Sequence, residues 1–158
     1  MTSAKPNLTM DVNLHPAVAD GRKCYRIDLT GFPDKSGVYL LRFKKKRFAR
    51  LRGFSSVLKV GLADDGFLNR FKSYNNKKVA SSPSFKTISS LRDYHEKSWT
   101  EFHFMWFVAN ARRIDDLVLD FYFSRQSADL ERQFILDIMD NHWELPPLNL
   151  SMGKKGAI

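Results

Sequence analysis

The sequence predicts an α+β fold, in which helices flank a small antiparallel β-sheet, and three patterns lead to that prediction. Residues 38–43 and 57–61 are rich in strand-forming side chains and are joined by a basic connection, which is typical of a hairpin with an enlarged loop. Residues 64–71 begin with two aspartates and continue with apolar residues at helical spacing, which predicts a short amphipathic helix. Residues 127–139 repeat the helical spacing over a longer stretch.

The N-terminal part of the chain is less regular. Residues 1–20 are polar and include Pro6 and Pro16, so we expect a loosely ordered N-terminal arm ahead of a single domain over residues 21–150. Within that domain, residues 25–29 alternate apolar and polar side chains, which is a weak strand signal. A short basic tail, residues 151–158, follows the domain.

One segment of the second half fits two structures equally. Residues 112–124 carry apolar side chains at helical spacing, yet residues 117–123 also have the composition of a strand, and the sequence leaves both open. Residues 101–108 are dense in aromatic side chains and predict a buried strand, whereas the polar residues 75–90 predict a surface loop. Ser127 is the expected cap of the last helix.

The composition narrows the class of protein. A chain of 158 residues with 43% hydrophobic residues is long enough for one domain with its own core. Its net charge of +9 favours polyanionic partners, nucleic acid first and an anionic membrane surface second, although a solvated basic face fits as well. The single Cys24 excludes an internal disulfide, and no apolar stretch approaches the length of a membrane span. We therefore expect a soluble, cytoplasmic protein.

Four short motifs occur in a fixed order along the predicted elements. Gly37-Val38-Tyr39 opens the first strand of the hairpin, and Lys59-Val60-Gly61 ends the second strand. Arg70 lies in the following helix. Glu131 lies in the later helix, and a Pro-Pro-Leu-Asn segment that ends at Asn149 comes after it.

This ordered set resembles the GIY-YIG nuclease superfamily. In that family a Gly-Ile/Val-Tyr strand pairs with a Tyr-Ile/Val-Gly strand, and an arginine, a glutamate and a Pro-x-x-Asn ending follow. Each motif alone is common, whereas their order over residues 35–150 is more specific. The second motif has Lys59 in place of the usual tyrosine, and Leu62 stands where a smaller or polar residue is usual. A lysine here, followed by Arg70 and Ser73-Tyr74-Asn75, resembles a branch of type II restriction endonucleases, and phage-type members also carry it.

The resemblance implies a metal-dependent DNA endonuclease and a role for each motif residue. Hydrolysis of a phosphodiester needs an attacking water and relief of the charge that develops on the phosphate. Tyr39 is expected to take the proton of that water, with Lys59 beside it because a nearby cation favours the phenolate; which of the two is the proton acceptor stays open. Arg70 is expected to bind phosphate oxygens through its planar fork, and Glu131 to hold Mg²⁺, or Mn²⁺ in its place. Asn149 is expected to support the glutamate or the neighbouring backbone.

Positively charged residues near these motifs are the expected contacts to double-stranded DNA. The enlarged loop supplies most of them, and the helix that carries Arg70 supplies the rest. The expected DNA-binding set is Lys44, Lys45, Lys46, Arg47, Arg50, Arg52, Lys72, Tyr74, Lys77 and Lys78. Tyr74 fits a place in the site and a packing role equally. Because small nucleases of this fold often need two copies to cut both strands, a homodimer is also plausible.

Other functions fit parts of the same sequence. Taken singly, Tyr39 fits a half-buried core aromatic, Lys59 and Arg70 fit surface cations, and Glu131 fits a solvated helix face. A second hypothesis is a basic nucleic-acid-binding domain of the same fold without catalysis. A third is an RNA-binding protein of unrelated ancestry, for which the motif order would be coincidence.

Overall fold

A computed structural model describes residues 4–19, 22–76, 116–147 and 149 of the chain. The described residues form a mixed α+β structure with a four-stranded antiparallel sheet, two short β-ribbons and two helices. The strands are β1 (Leu8–Asp11), β2 (Leu14–Ala19), β3 (Arg22–Ile27), β4 (Gly37–Phe43), β5 (Phe48–Ala49), β6 (Phe54–Ser55), β7 (Val57–Ala63) and β8 (Leu117–Phe123). The helices are α1 (Phe67–Asn76) and α2 (Ser127–His142). Within this part of the chain, neither helix is long and apolar enough to cross a membrane.

The four-stranded sheet has the order β1-β8-β4-β7 and is covered on both faces. On one face α1 packs through Phe67 and Phe71 into a core that includes Tyr39 and Phe121. On the other face α2 packs into a second core, whose buried members are Val38, Leu40, Val57, Val60, Tyr122, Phe134, Ile135 and Ile138. Because the central strands β4 and β8 face a core on each side, nearly all their residues are buried and their sequences read as continuous apolar runs.

The predicted hairpin and the later helix are confirmed, and the first helix is present but begins at Phe67, so Asp64 and Asp65 precede it. Strands β4 and β7 pair antiparallel, and the enlarged connection between them contains the small β5–β6 ribbon. Residues 117–123 form a strand rather than a helix, whereas residues 112–115 of the ambiguous segment lie outside the described residues. The helical spacing arose there because a strand that is buried on both faces lacks the alternation that normally marks a strand.

The expectation of a loosely ordered N-terminal arm was wrong for residues 8–19. Strand β1 pairs antiparallel with β8 at the edge of the main sheet, and Thr9 lies opposite Asp120. Hydrogen bonds from Asn7 N to the Phe121 carbonyl (2.8 Å) and from Val12 N to the Leu117 carbonyl (2.9 Å) extend that pairing. Strand β8 supplies the backbone partners of β1, a contact far away in sequence that a polar local composition does not reveal. Residues 14–19 form β2, which pairs with β3 in a separate ribbon.

The start of α2 differs from the expected capping arrangement. Ser127 is the first residue of the helix rather than its cap, and its hydroxyl donates to the Ser124 carbonyl at 3.0 Å. Gln126 occupies the cap position and makes no side-chain capping bond.

Residues 75 and 76 belong to α1 rather than to a loop, and the predictions for residues 77–90 and 101–108 lie outside the described residues.

Candidate functional site

The two motif strands lie side by side in β4 and β7. Tyr39 is directly opposite Gly61, and Leu41 is opposite Lys59. A side chain at Gly61 would collide with the tyrosine, because an ideal Cβ there would lie 2.0 Å from Tyr39 Cζ and 2.2 Å from its hydroxyl oxygen. The tyrosine ring therefore crosses the glycine of the neighbouring strand, and the glycine is required by that close approach.

Tyr39 is fully buried, with 0% of its surface exposed. Its ring meets the ring of Phe71 edge-on, with centroids 4.9 Å apart. The sequence allowed a half-buried core aromatic at this position, and the burial is more complete than that. A proton acceptor has to reach the attacking water, and this phenol is enclosed by core residues.

Lys59 and Arg70, the two cations of the candidate set, are partly exposed. Lys59 is two residues before Gly61 in β7, so it lies on the same face of the sheet as Tyr39. Arg70 belongs to α1, which covers that face, and it directly precedes Phe71. The Nε atom of Arg70 is shielded from solvent, so its guanidinium begins inside the protein rather than extending freely into water.

Glu131 is buried, with 7% of its surface exposed. It lies one helical turn before Phe134 and Ile135, which pack into the core on the α2 face of the sheet. Tyr39, Lys59 and Arg70 thus belong to one face of the sheet, whereas Glu131 belongs to the helix that covers the other. Both helices pack against β7, the strand at the edge of the sheet.

A carboxylate such as Glu131 fits one mode of magnesium binding. Within the described residues there is no group of three or more His, Cys, Asp or Glu side chains that would form an all-protein metal site. Magnesium is commonly held by one or two carboxylates, with water and substrate phosphates as its remaining ligands. Glu131 has the hard oxygen donors that this mode needs.

Asn149 is joined to the second motif by two hydrogen bonds. Its side-chain oxygen accepts from Val60 N at 2.8 Å, and its side-chain nitrogen donates to the Val60 carbonyl at 2.8 Å. Val60 is the central residue of Lys59-Val60-Gly61, and its outward backbone groups lie on the free edge of the sheet. Of the two supports expected for Asn149, these contacts provide the one to the neighbouring backbone.

A second asparagine makes the same arrangement, and sequence reasoning missed it. The side chain of Asn75 accepts from Ile27 N and donates to the Ile27 carbonyl, both at 2.9 Å. This contact ties the end of α1 to strand β3, and Arg26 adds a hydrogen bond of 3.1 Å to the Asn75 carbonyl. The only sequence signal was the position of Asn75 in the motif-like Ser73-Tyr74-Asn75, which does not reveal a partner 48 residues away.

The cations at the start of the basic loop line a cavity of about 440 Å³. Lys44, Lys45, Lys46 and Arg47 share its wall with residues of β6 and the end of α2. The Asp116 carboxylate accepts from the backbone N–H groups of Lys45 (3.0 Å) and Lys46 (3.1 Å) and so fixes the loop. Lys44 also forms an ion pair with Asp11 at 3.6 Å, and Lys46 Nζ lies 5.9 Å from the centre of the Phe43 ring. The concave surface keeps an excess of positive charge, which favours anions.

Arg50 differs from the expected DNA-contacting role. Its side chain is only 8% exposed, forms an ion pair with Glu144 and donates to the Leu145 carbonyl. We assign Arg50 to holding the loop against the end of α2, because its charge is already paired inside the protein.

The remaining members of the expected DNA-binding set differ in what can be said of them. Arg52 and Lys72 are exposed, as the prediction requires, whereas Lys77 and Lys78 lie outside the described residues. Tyr74 belongs to α1.

No family model matches the chain, and no curated protein or solved structure matches it. The interpretation of the site therefore depends on the residues and contacts of the chain itself.

Proposed function

We propose that the protein is a metal-dependent endonuclease of the GIY-YIG type that hydrolyses phosphodiester bonds in double-stranded DNA. The observation that carries the proposal is the pair of hydrogen bonds between Asn149 and Val60. These bonds join the last motif of the sequence to the second motif, on the strand that pairs with the first motif. The first, second and last motifs are therefore in contact at the β4–β7 strand pair. If the four motifs occurred by chance, the last one would not be expected to bind there.

The cationic residues of the set would bind the scissile phosphate. Lys59 and Arg70 are both partly exposed and lie on the same side of the sheet. Arg70 can offer two parallel N–H donors to phosphate oxygens, whereas Lys59 supplies a compact positive charge. The oxygens gain negative charge as the bond breaks, so fixed cations at this position lower the barrier.

Glu131 would hold the metal ion. When bound, magnesium stabilises the negative charge that develops on the phosphate and on the leaving oxygen. Burial of Glu131 limits the water around its carboxylate, which strengthens its attraction for a cation.

Tyr39 would accept the proton of the attacking water. Because its side chain is fully buried, this role requires water to enter beside β7 when DNA binds. The variant Tyr39→Phe removes only the hydroxyl and keeps the ring that packs on Phe71. We expect it to lose cleavage by about 10²-fold or more while keeping its unfolding midpoint. Cleavage at the wild-type rate would remove Tyr39 from the mechanism.

The proposal is tested by incubating the protein with supercoiled plasmid and Mg²⁺ at low salt. We expect nicked or linear DNA with the wild-type chain and with Asp129→Asn, which changes an exposed carboxylate on the same helix. Glu131→Gln and EDTA should each abolish the products, and circular dichroism should show both variants folded. Wild-type protein that cuts no DNA with either Mg²⁺ or Mn²⁺, or Glu131→Gln that cuts normally, would refute the proposal.

A non-catalytic nucleic-acid-binding domain is the second candidate function. The observation that favours it is the burial of Tyr39 and Glu131, together with the exposed cations of the basic loop. Under this alternative the protein binds plasmid without cutting it, and Glu131→Gln leaves the affinity unchanged. The same plasmid experiment therefore separates the two functions.

A further inference from the structure

Three large apolar side chains stand exposed at the tip of the β5–β6 ribbon and the end of α2. Leu51 is 71% exposed, Phe54 61% and Trp143 64%, the highest values among the large hydrophobic residues that the structure describes. Arg52 lies beside them, with its guanidinium carbon 5.3 Å from the centre of the Trp143 ring. These four residues form what we call the hairpin-tip surface.

The hairpin-tip surface is held in place by its own backbone. Arg52 N donates to the His142 carbonyl at 3.2 Å, and His142 Nδ1 hydrogen-bonds the Arg52 carbonyl at 2.9 Å. Leu51 N donates to Glu144 at 3.3 Å, and Gly53 makes the turn with a φ of +69°. The apolar side chains are therefore presented by a fixed turn, so their exposure does not come from a loose loop.

Trp143 occupies a backbone position that ordinarily favours another residue. It ends α2 in the left-handed conformation with φ 62°, and it is the sole non-glycine residue with positive φ in the described part of the chain. Glycine or asparagine is the usual choice at such a helix end because other side chains are strained there. The helix end therefore presents a large, exposed aromatic ring where the backbone favours a smaller residue, and Arg52 packs over that ring.

The charges around the surface favour a polyanion. The cavity of Lys44, Lys45, Lys46 and Arg47 shares Phe54 as part of its wall, so cations and exposed apolar groups adjoin. Among the nearby carboxylates, Asp116 accepts hydrogen bonds from the backbone of the loop and Glu144 forms an ion pair with Arg50. Asp11 forms an exposed ion pair with Lys44 at 3.6 Å, so Lys45, Lys46 and Arg47 supply the excess positive charge. A ligand that combines phosphate groups with flat apolar rings suits both parts of this surface.

We propose that the hairpin-tip surface contacts the bases of DNA while phosphates of the same strand occupy the neighbouring cationic cavity. The identity of the ligand rests on the proposed function. Leucine and phenylalanine side chains can wedge between base steps, and aromatic rings stack on exposed bases. His142 follows Glu131 by eleven residues of one helix, so this contact lies about 16 Å from the glutamate along the helix axis. It is a second DNA contact, separate from the residues that would cut.

The test compares DNA with inorganic polyphosphate, an anion without bases, in the Glu131→Gln background so that no DNA is consumed. We expect Phe54→Ala to weaken DNA binding about tenfold and to leave polyphosphate binding unchanged. Lys45→Gln should weaken both ligands and reduce the slope of log affinity against log salt by about 0.9, whereas Phe54→Ala should leave that slope unchanged. Phe123→Ala and Lys35→Gln, on another part of the surface, serve as matched controls and should change neither affinity.

Several results would overturn the inference. One is that Phe54→Ala binds DNA as tightly as the Glu131→Gln protein without it. Another is that Phe54→Ala weakens the binding of DNA and of polyphosphate by the same factor. A wild-type dimer that Phe54→Ala converts to a monomer in analytical ultracentrifugation would show that a second copy covers the surface instead. Failure of this inference and failure of the nuclease proposal are distinguishable, because the affinity pattern can hold without plasmid cleavage and cleavage can occur without this pattern.

Discussion

The side-chain amide of Asn149 pairs with both backbone polar groups of Val60, in the way that a residue of an adjacent strand would. Val60 is almost fully buried, and its outward N–H and carbonyl groups lie at the sheet edge, where no further strand of the described chain follows β7. The asparagine therefore satisfies two buried polar groups whose loss of partners would be costly.

Replacing Asn149 tests that contact directly. We expect Asn149→Ala to lower the free energy of unfolding by about 2 kcal/mol, because two buried backbone groups lose their partners. Asn149→Asp should cost at least as much, since a carboxylate oxygen would then face the Val60 carbonyl. Urea denaturation measures both. Values close to wild type for both variants would mean that water replaces the amide without loss.

The close approach of Gly61 to Tyr39 makes a second prediction. A methyl group at Gly61 would enter the space of a fully buried ring, so we expect Gly61→Ala to destabilise the fold by about 1–3 kcal/mol. In a Tyr39→Ala background the same change should cost much less, because the ring is gone. A double-mutant cycle from urea denaturation measures the coupling. Additive effects of the two changes would contradict the packing described for this pair.

Asp120 joins three strands through its carboxylate. It accepts from Arg42 Nε at 2.6 Å and from the Thr9 hydroxyl at 2.7 Å, and it is itself buried. We expect Asp120→Ala to lower the free energy of unfolding by about 3 kcal/mol, because a partly buried arginine is left without its counter-charge. Replacing both partners, as Asp120→Leu with Arg42→Met, should restore most of that loss. A double variant as unstable as Asp120→Ala would contradict this account.

Tyr122 gives the fold a dependence on alkaline pH. Burial raises the pKa of the Tyr122 hydroxyl above its usual value of 10.0, the charge of Asp120 raises it further, and Arg42 opposes the shift. The unfolded chain therefore ionises this tyrosine before the folded chain does, so its contribution to stability is complete below about pH 10 and falls as pH rises beyond it. Denaturation from pH 8 to pH 11 should show a shallower decline for Tyr122→Phe than for the wild type. Identical slopes would refute the assignment.

Substitutions at Arg50 and Lys45 should have different effects, although both residues are cations of the loop between β4 and β7. The Arg50 variant should lose stability, and the Lys45 variant should lose DNA affinity. Arg50→Ala removes the ion pair with Glu144 and should lower the free energy of unfolding by about 3 kcal/mol. Lys45→Ala, at an exposed position, should leave stability unchanged and weaken DNA binding. Thermal unfolding and fluorescence anisotropy measure the two effects. A stable Arg50→Ala variant with weakened DNA binding would return Arg50 to the DNA-contacting set.

The elements that could be predicted from the sequence are those whose apolar pattern or strand partner is visible within a short stretch of the chain. Helix α2 has one apolar face and β4 pairs with its near neighbour β7, so both were visible in the residues themselves. Strand β8 was ambiguous because two covered faces erase its alternation, and β1 was missed because its partners lie over a hundred residues away. The candidate site followed the same division. The order of the motifs predicted that the two motif strands pair, whereas the register that sets Tyr39 opposite Gly61 was not predicted. The full burial of Tyr39 also depends on α1, which covers that face of the sheet.

The pairing of β1 with β8 also constrains the order in which the chain can fold. Strands β4 and β7 are close in sequence and can meet early, since short loops close quickly. The edge strand β1 precedes the other strands of the main sheet in sequence, and it has no partner there until Leu117–Phe123 has left the ribosome. Strand β1 therefore joins the sheet no earlier than β8 does, and until then its apolar residues Leu8 and Met10 are open to contacts outside the fold.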